Sequence, residues 1–205
     1  MKIAIIGTGN VGGALATQWA KAGHHLFLGV KDTTQFKGKH LLNNPNTEVH
    51  SIAQAVQAAD VILVATPPQI ALDLVDTFGD VTQKVIIDAT NAVRTKPLGY
   101  ATAFHAFEAL TNAAVVKSFN TTGFENMQNP DYGQATLDMF MAGDSDFAKT
   151  TAHQLALDAG FENCYDFGRS DKVVLLEQFA LSWINLAIMQ GLGRDVGFKL
   201  LKRPS

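Results

Sequence analysis

The sequence contains little cysteine and no cluster of metal-binding side chains. Among its 205 residues Cys164 is the one cysteine, so an internal disulfide and a cysteine-based zinc site are both excluded. His, Cys, Asp and Glu are not grouped at metal-ligand spacing, and we predict no metal site. So little cysteine is typical of proteins from a reducing compartment, and we expect a cytoplasmic protein.

An excess of basic residues is also missing. The chain has 16 Lys and Arg against 19 Asp and Glu, which gives a net charge of −3 and no general attraction to nucleic acid. Apolar residues make up 47% and charged residues 17%, the balance of a compact globular protein. The opening MKIAIIGTG has no cleavage site after a long apolar stretch, so we interpret it as a strand rather than a signal peptide.

One long apolar run occurs, VVLLEQFALSWINLAIMQGL at 173–192. It is interrupted by Glu177, Gln178, Asn185 and Gln190, so it predicts a helix buried in the core or against a second subunit rather than a membrane span. Because this helix is more apolar than an isolated chain would easily bury, we predict a homodimer.

Short apolar runs alternate with helical patterns along most of the chain. Strands are predicted at 3–6, 26–30, 61–65, 85–89, 114–119, 136–143 and 164–167, and 33–46 is predicted to be a polar loop. Helices are predicted at 10–22, 51–59, 66–78, 104–110 and 146–159, and from 171 onward. This alternation predicts a doubly wound α/β fold with a mainly parallel sheet. We assign 1–168 to a Rossmann domain and 169–205 to a C-terminal helical extension.

A glycine-rich turn links the first strand to the first helix. Gly7, Gly9 and Gly12 fit the G-x-G-x-x-G pattern, in which the glycines allow a tight turn, close approach of a pyrophosphate and close helix packing. The amides of Asn10 and Val11 would face the phosphates at the positive end of the helix dipole. The complete strand, turn, helix and strand unit predicts dinucleotide binding.

The end of the second strand lacks the acid that holds an adenine ribose in NAD-binding proteins. It reads Val30 and then Lys31, which favours NADP because a cation attracts the 2′-phosphate and an acid would repel it. Lys37 and Lys39 are possible helpers or merely solvated loop residues. Asp32 keeps NAD open as an alternative, since a small loop shift could bring it to the ribose.

In these features the chain resembles the coenzyme F420-dependent NADP oxidoreductase family. The resemblance is carried by GTGNVG, AGHHLFLGVKD, VILVATPP, VIIDATN, VVKSFNT, MFMAGD and LEQFALSWINLA. It implies reversible hydride transfer between NADP(H) and a flavin-like ring, either a deazaflavin such as coenzyme F420 or a flavin. The best-characterised members carry a small hydroxyl residue where this chain has Val30, so one phosphate hydrogen bond is expected to be absent.

The resemblance also implies cofactor contacts at particular positions. It implies Thr8, Asn10 and Val11 at the pyrophosphate, Val30 and Lys31 near the 2′-phosphate, Ala65, Thr66 and Pro67 along the cofactor, and Asn91 and Asn120 toward the nicotinamide.

Side chains that could act as an acid or a base are not evident at the predicted strand ends. Hydride transfer between two stacked rings needs neither. Asn120 could orient the carboxamide or the acceptor, or could simply cap the turn before Thr121, and Thr66 is predicted to cap a helix. Trp183 and Phe179 are predicted to be core or subunit contacts, with a platform for a second ring as the alternative.

Two other functions remain open on the sequence. The first is a non-catalytic NADP-binding regulatory protein, which fits the absence of an acid or base. The second is an NADPH-dependent reductase of ferric iron, imines or carbonyls; imine or carbonyl reduction would require a proton donor in the cleft. The small-molecule acceptor is not identified by these patterns.

Overall fold

The computed structural model describes residues 1–203, so the last two residues of the predicted extension lie outside the described chain. The strands are β1 Lys2–Ile6, β2 His25–Val30, β3 Thr47–Ser51, β4 Val61–Val64, β5 Val85–Asp88, β6 Ala114–Ser118, β7 Asp138–Ala142 and β8 Asn163–Asp166. The α-helices are α1 Asn10–Lys21, α2 Ile52–Ala58, α3 Ala71–Phe78, α4 Ala103–Leu110, α5 Phe124–Gln128, α6 Asp146–Asp158 and α7 Val173–Ile184. A π-helical turn, Asn185–Met189, continues α7.

The strands form one sheet in the order β3-β2-β1-β4-β5-β6-β7-β8. All neighbours are parallel except β6 and β7, which run antiparallel. The predicted doubly wound, mainly parallel Rossmann sheet is therefore confirmed. Its strand order reverses where β1 lies between β2 and β4, and ligands of such sheets bind beyond the carboxyl ends of the strands at this point.

Each face of the sheet carries its own hydrophobic layer. Ile3 and Ile5 contribute to the layer beneath α1 and α6, whereas Ala4 and Ile6 contribute to the layer beneath α2, α3, α4 and α7. This alternation follows from the twofold side-chain period of a strand, and it explains why β1 is apolar at consecutive positions. Both faces are covered, so only the strand ends are left for a ligand.

Two local predictions were wrong. The strand β3, Thr47–Ser51, was not predicted, because it lies at the sheet edge and its sequence TEVHS has a single aliphatic residue. Thr66 does not cap a helix: Pro67 is extended, a 3₁₀ turn spans Pro68–Ile70, and α3 begins only at Ala71. The ring of Pro68 disfavours the α conformation for the residue before it, so Pro67 stays extended and the helix starts later. The predicted cap at Ser51 is present as a capping box with Gln54.

The C-terminal segment after β8 packs across the sheet and returns along it. Trp183 donates its indole N–H to the carbonyl of Val196 at 2.6 Å, and the backbone N–H of Leu200 donates to the Asp138 carboxylate at 2.8 Å. These contacts fasten the end of the described chain to β7.

The helical segment Ser170–Met189 is long and apolar enough to cross a membrane, and 33% of its most apolar window is buried. One face of this helix therefore packs on the sheet and the other is exposed. This partial burial fits the expectation that the helix is more apolar than an isolated chain would easily bury.

Candidate functional site

The glycine-rich turn shows a different physical requirement at each glycine. Gly7 has φ +102°, and a Cβ there would lie 2.4 Å from the carbonyl oxygen of Ala65. A Cβ on Gly12 would lie 1.9 Å from the carbonyl oxygen of Gly7. Gly9 has open space at its Cβ position. Gly7 and Gly12 are thus required by the fold, whereas the bare backbone at Gly9 leaves room for a group outside the protein.

Helix α1 starts directly behind this open space. Its N-cap is Gly9, and no side chain caps its first amides. The first turn of a helix presents unpaired N–H groups and the positive end of the dipole, a combination that binds phosphate. Asn10 and Val11 supply these amides, as the sequence predicts.

A cavity of about 290 Å³ lies beside the turn at the ends of β1 and β2. Its lining residues are Ile6, Gly7, Thr8, Gly29, Val30, Lys31, Asp32, Gln35, Phe36, Ile52, Thr66, Ile70 and Leu74. The wall is mostly apolar with charge at one edge, which suits a purine and its ribose. Among the predicted residues it brings together Gly7, Thr8, Val30, Lys31 and Thr66. We call it the adenosine cavity.

The loop after β2 closes one side of the adenosine cavity. The Thr8 hydroxyl donates to the carbonyl of Lys37, and Gly38, at φ +90°, lies so close that a Cβ would meet the Thr8 carbonyl at 2.4 Å. Phe36 is one of the cavity-lining residues. The loop is thereby tied to the glycine-rich turn and is a structured wall of the cavity, with a 3₁₀ turn at Lys39–Asn43.

The two charged residues that follow Val30 face different partners. Asp32 Oδ1 accepts from the Thr34 amide at 2.8 Å, the Thr34 hydroxyl at 2.7 Å and the Gln35 amide at 3.2 Å. These bonds hold the pKa of Asp32 below its ordinary value, and the bond from the Thr34 hydroxyl has the largest effect. Lys31 is exposed and makes no ion pair within residues 1–203. Asp32 Oδ1 is therefore hydrogen-bonded within its own loop, whereas the Lys31 side chain is available to a ligand.

The carboxyl ends of β5 and β6 bring Asn91 and Asn120 together. Asn91 Nδ2 donates to the Asn120 carbonyl and Asn120 Nδ2 donates to Asn91 Oδ1, each at 2.9 Å. Asn120 therefore pairs with Asn91 instead of capping the turn before Thr121. Its Oδ1, like the Thr90 hydroxyl, is buried without a partner in the described chain. Buried polar atoms of this kind are rare unless a ligand or water satisfies them.

Backbone strain accompanies this pair. Phe119 has φ +57°, a left-handed conformation that is unusual for a bulky residue. Its buried ring packs edge-on against Trp19, with the ring centroids 5.5 Å apart. Strain of this type clusters at binding sites, where packing maintains it. Here the strained residue turns the chain so that Asn120 follows directly after β6.

A buried charge cluster lies behind the same strand ends, and the sequence reasoning missed it. Lys117 and Asp88 are fully buried in β6 and β5, and Glu177 reaches them from α7 with 7% of its surface exposed. Lys117 Nζ lies 2.9 Å from Asp88 Oδ2 and 2.5 Å from Glu177 Oε1. The available signal was a charged residue within each of the apolar runs VIID, AVVKS and VVLLEQF.

Of the two aromatic residues predicted as core or subunit contacts, Trp183 is buried and Phe179 is partly buried against the core. The Phe179 ring stacks on Phe198 at 4.3 Å and meets Phe140 edge-on at 5.0 Å. Trp183 is 5% exposed. Because their faces are already covered, neither ring offers a platform for a second ring.

Fold and site together define a Rossmann protein of the dinucleotide-binding class. Residues 2–92 match the family model of NADP oxidoreductase, coenzyme F420-dependent, which confirms the family resemblance for the part of the chain from β1 to the loop after β5. Among curated protein sequences none matches the chain significantly.

Solved structures match over nearly all of the chain. A presumed F420-dependent NADP-reductase from Arthrobacter sp. FB24 superposes with a TM-score of 0.86 at 22% identity, covering 98% of this chain and 100% of that one. A hypothetical protein from Sinorhizobium meliloti gives 0.73 at 25% identity, with 99% and 96% covered. A reductive aminase from Aspergillus terreus in complex with NADPH gives 0.69 at 18% identity, and the match covers 93% of this chain and 63% of the aminase.

Proposed function

We propose that the protein binds NADPH across the ends of β1, β2, β4, β5 and β6 and transfers hydride between it and a flavin-like acceptor, a deazaflavin or a flavin. The observation that carries the choice of NADPH is the pair of residues after Val30. Lys31 faces outward beside the adenosine cavity, whereas three hydrogen bonds bind Asp32 to its own loop. A 2′-phosphate would meet the Lys31 ammonium there, while Asp32 Oδ1 already accepts three hydrogen bonds within its own loop.

The proposed pose uses the predicted residues in order along the cleft. The pyrophosphate would lie over Gly9 and the first amides of α1, and Ala65, Thr66 and Pro67 would border the cofactor where β4 ends. The nicotinamide would reach the Asn91 and Asn120 pair. The unpartnered Asn120 Oδ1 would accept a hydrogen bond from the carboxamide NH₂, which is a donor.

The acceptor is proposed from the polar groups near the nicotinamide end. The amides of Asn91 and Asn120 and the hydroxyl of Thr90 lie at this end, while Lys117 is enclosed by its partners. Such a set can orient rings but does not readily supply a proton to a substrate carbonyl or imine. A flavin-like ring takes the hydride on a ring atom and exchanges protons with water, so orientation suffices.

Two measurements test the proposal. The first compares dissociation constants for NADPH and NADH; we expect NADPH to bind about tenfold more tightly, since one charge-assisted contact contributes about 1.5–3 kcal/mol before solvent screening. Equal dissociation constants for the two cofactors would remove the cofactor assignment.

The second measurement follows NADPH oxidation with coenzyme F420, FMN, a ferric chelate and a cyclic imine. Turnover of the ring acceptors supports the proposal, turnover of the imine alone favours an imine reductase, and tight binding without turnover favours a regulatory protein.

We also propose that the protein is a homodimer that packs through α7. Val174, Leu181 and Ile188 recur every seven residues on the exposed side of this helical segment, with 42%, 39% and 53% of their surface exposed. Between 173 and 193 Glu177 is the one charged residue, and it points into the core. A stripe that is apolar and uncharged can pack against a second copy of itself across a twofold axis.

Light scattering at micromolar concentration tests the dimer. We expect a dimer for the unchanged protein and a folded monomer for Ile188→Asp. Phe147→Asp is the matched control, because Phe147 is an apolar residue of α6 that is 62% exposed. A monomer for the unchanged protein contradicts the proposal, and flotation with phospholipid vesicles would assign the stripe to a membrane surface.

A further inference from the structure

The buried charge cluster of Lys117, Asp88 and Glu177 holds a specific piece of backbone. Lys117 Nζ donates to Asp88 Oδ2 at 2.9 Å, to Glu177 Oε1 at 2.5 Å and to the carbonyl of Thr90 at 2.5 Å. An ammonium has three N–H groups, so all of its donors are used. Two of its partners are carboxylates and the third belongs to the loop after β5.

The second oxygen of each carboxylate binds the same loop. Asp88 Oδ1 accepts from the amide of Thr90 at 2.9 Å, and Glu177 Oε2 accepts from the amide of Ala92 at 2.8 Å. Together with the Thr90 carbonyl, three backbone groups of residues 90–92 are fixed by the cluster. The residue between the two anchored positions is Asn91, whose side chain is bonded to Asn120 at both ends.

The cluster is a poor device for stability alone. It places two carboxylates and one ammonium where water barely reaches, and apolar side chains of similar size often stabilise a fold equally well in such a place. What apolar side chains cannot do is accept the Thr90 and Ala92 amides and donate to the Thr90 carbonyl. The geometry therefore favours a role in fixing the loop over a role in holding the sheet together.

We infer that Lys117, Asp88 and Glu177 are positioning residues for the nicotinamide half of the cofactor, acting through Thr90–Ala92 to place the Asn91 and Asn120 amides. This inference rests on the proposed function. It also makes the C-terminal helix part of the cofactor site, because Glu177 comes from α7. Lys117 and Glu177 both lie beyond residues 2–92, the segment that matches the family model.

The first test uses Glu177→Gln. Lys117 and Ala92 donate to different oxygens of Glu177, and glutamine replaces one of these oxygens with an NH₂ group. The charged ammonium holds the remaining oxygen more strongly, so the Ala92 amide is expected to lose its acceptor. In the ligand-free protein we expect hydrogen exchange at the Ala92 amide to accelerate about tenfold or more, because a buried hydrogen bond protects its amide by about a factor of ten. Glu162→Gln is the control, since Glu162 is an exposed carboxylate paired with Lys199. Unchanged exchange at Ala92 in a folded Glu177→Gln protein overturns the inference whether or not NADPH binds.

The second test separates the two halves of the cofactor. The fragment 2′,5′-ADP carries the adenosine and the 2′-phosphate but no nicotinamide. For Glu177→Gln we expect affinity for 2′,5′-ADP to stay within about twofold and affinity for NADPH to fall about tenfold, the effect of one lost charge-assisted bond. An equal loss for both ligands would indicate general damage to the fold and would overturn the inference, as would no loss for either.

A third variant covers the case in which the Glu177→Gln protein does not fold. The combination Asp88→Asn, Lys117→Met and Glu177→Leu contains no buried charge, keeps an acceptor for the Thr90 amide, and is expected to fold. It should bind 2′,5′-ADP normally and NADPH about tenfold more weakly than the unchanged protein. Normal NADPH affinity in this variant overturns the inference. If the unchanged protein binds neither ligand, the proposed function fails, while the exchange measurement on Ala92 still decides whether the cluster fixes the loop.

Discussion

The two ends of the proposed cofactor cleft are built in different ways. At the adenosine end most of the groups come from one continuous stretch, Ile6 to Gly38, and the charge that would meet the ligand, Lys31, is exposed on a loop. At the nicotinamide end the groups come from β5, β6 and α7, and the charges are buried behind the surface. A charged phosphate needs an accessible cation, whereas a neutral carboxamide needs dipoles held in a fixed direction.

The largest expected effect comes from the turn that both ends share. Gly12→Ala would place a Cβ 1.9 Å from the Gly7 carbonyl oxygen, so the backbone would have to move. The loss of folding free energy should exceed the value of about 1–3 kcal/mol that is typical of an overpacked site. We expect loss of NADPH binding and a lower thermal unfolding midpoint, measured by circular dichroism.

Gly9→Ala is the matched control for that substitution. Gly9 has φ −79° and open space at its Cβ position, so an alanine there strains nothing in the protein. We expect an unchanged unfolding midpoint but NADPH affinity about tenfold or more weaker, since the methyl group would occupy the space of the pyrophosphate. Normal NADPH affinity in Gly9→Ala would place the phosphates elsewhere.

The next effect isolates the adenosine end. Lys31→Ala should weaken NADPH about tenfold and leave NADH unchanged, because the lost contact is to the 2′-phosphate alone. Lys21→Ala is the control: Lys21 is exposed at the far end of α1 and has no counterpart in the proposed pose. A parallel loss for both cofactors after Lys31→Ala would mean that the lysine contacts something other than the phosphate.

This difference between the ends also explains how far the sequence could be interpreted. The glycine spacing, the missing acid at Val30 and the lysine after it are local features, and each has a physical meaning within a single β-α-β unit. The Asn91 and Asn120 pair joins residues 29 positions apart, and Lys117 to Glu177 joins residues 60 apart. Without the strand order no pattern brings them together, although a lysine within an apolar strand was a visible anomaly.

The edge strand β3 and the start of α3 were missed for a related reason. β3 is stabilised by pairing with β2 at five positions, from Leu26 with Thr47 to Val30 with Ser51, rather than by an apolar pattern of its own. At Thr66 the local signal for a helix cap was real, but Pro68 keeps Pro67 extended, and a 3₁₀ turn at Pro68–Ile70 precedes α3. Tertiary pairing in the first case and backbone chemistry in the second outweighed the local pattern.

A smaller effect isolates the nicotinamide end. Asn120→Asp keeps an acceptor for the carboxamide but loses the donor to Asn91 Oδ1, and Asn120→Ala loses both. We expect Asn120→Ala to reduce the rate of NADPH oxidation about fivefold and to leave 2′,5′-ADP binding unchanged, since one neutral hydrogen bond contributes about 0.5–1.5 kcal/mol. A loss of 2′,5′-ADP affinity would mean that Asn120 supports the whole cleft and not one end of it.

The smallest expected effect is a pH dependence confined to the adenosine end. A phosphate monoester loses its second negative charge as the pH falls through about 6. Asp32, whose pKa is lowered by its bonds to Thr34 and Gln35, stays ionised over this range and does not contribute to the change. Between pH 8 and pH 5 we therefore expect the preference for NADP⁺ over NAD⁺ to shrink about two- to threefold, as one of the two ligand charges facing the lysine is lost. Fluorescence titration of both oxidised cofactors gives the ratio of their dissociation constants at each pH.

A ratio that stays constant with pH in the unchanged protein would mean that Lys31 does not face the phosphate. A ratio that varies in the unchanged protein and becomes constant after Lys31→Ala would assign the whole pH dependence to this one contact.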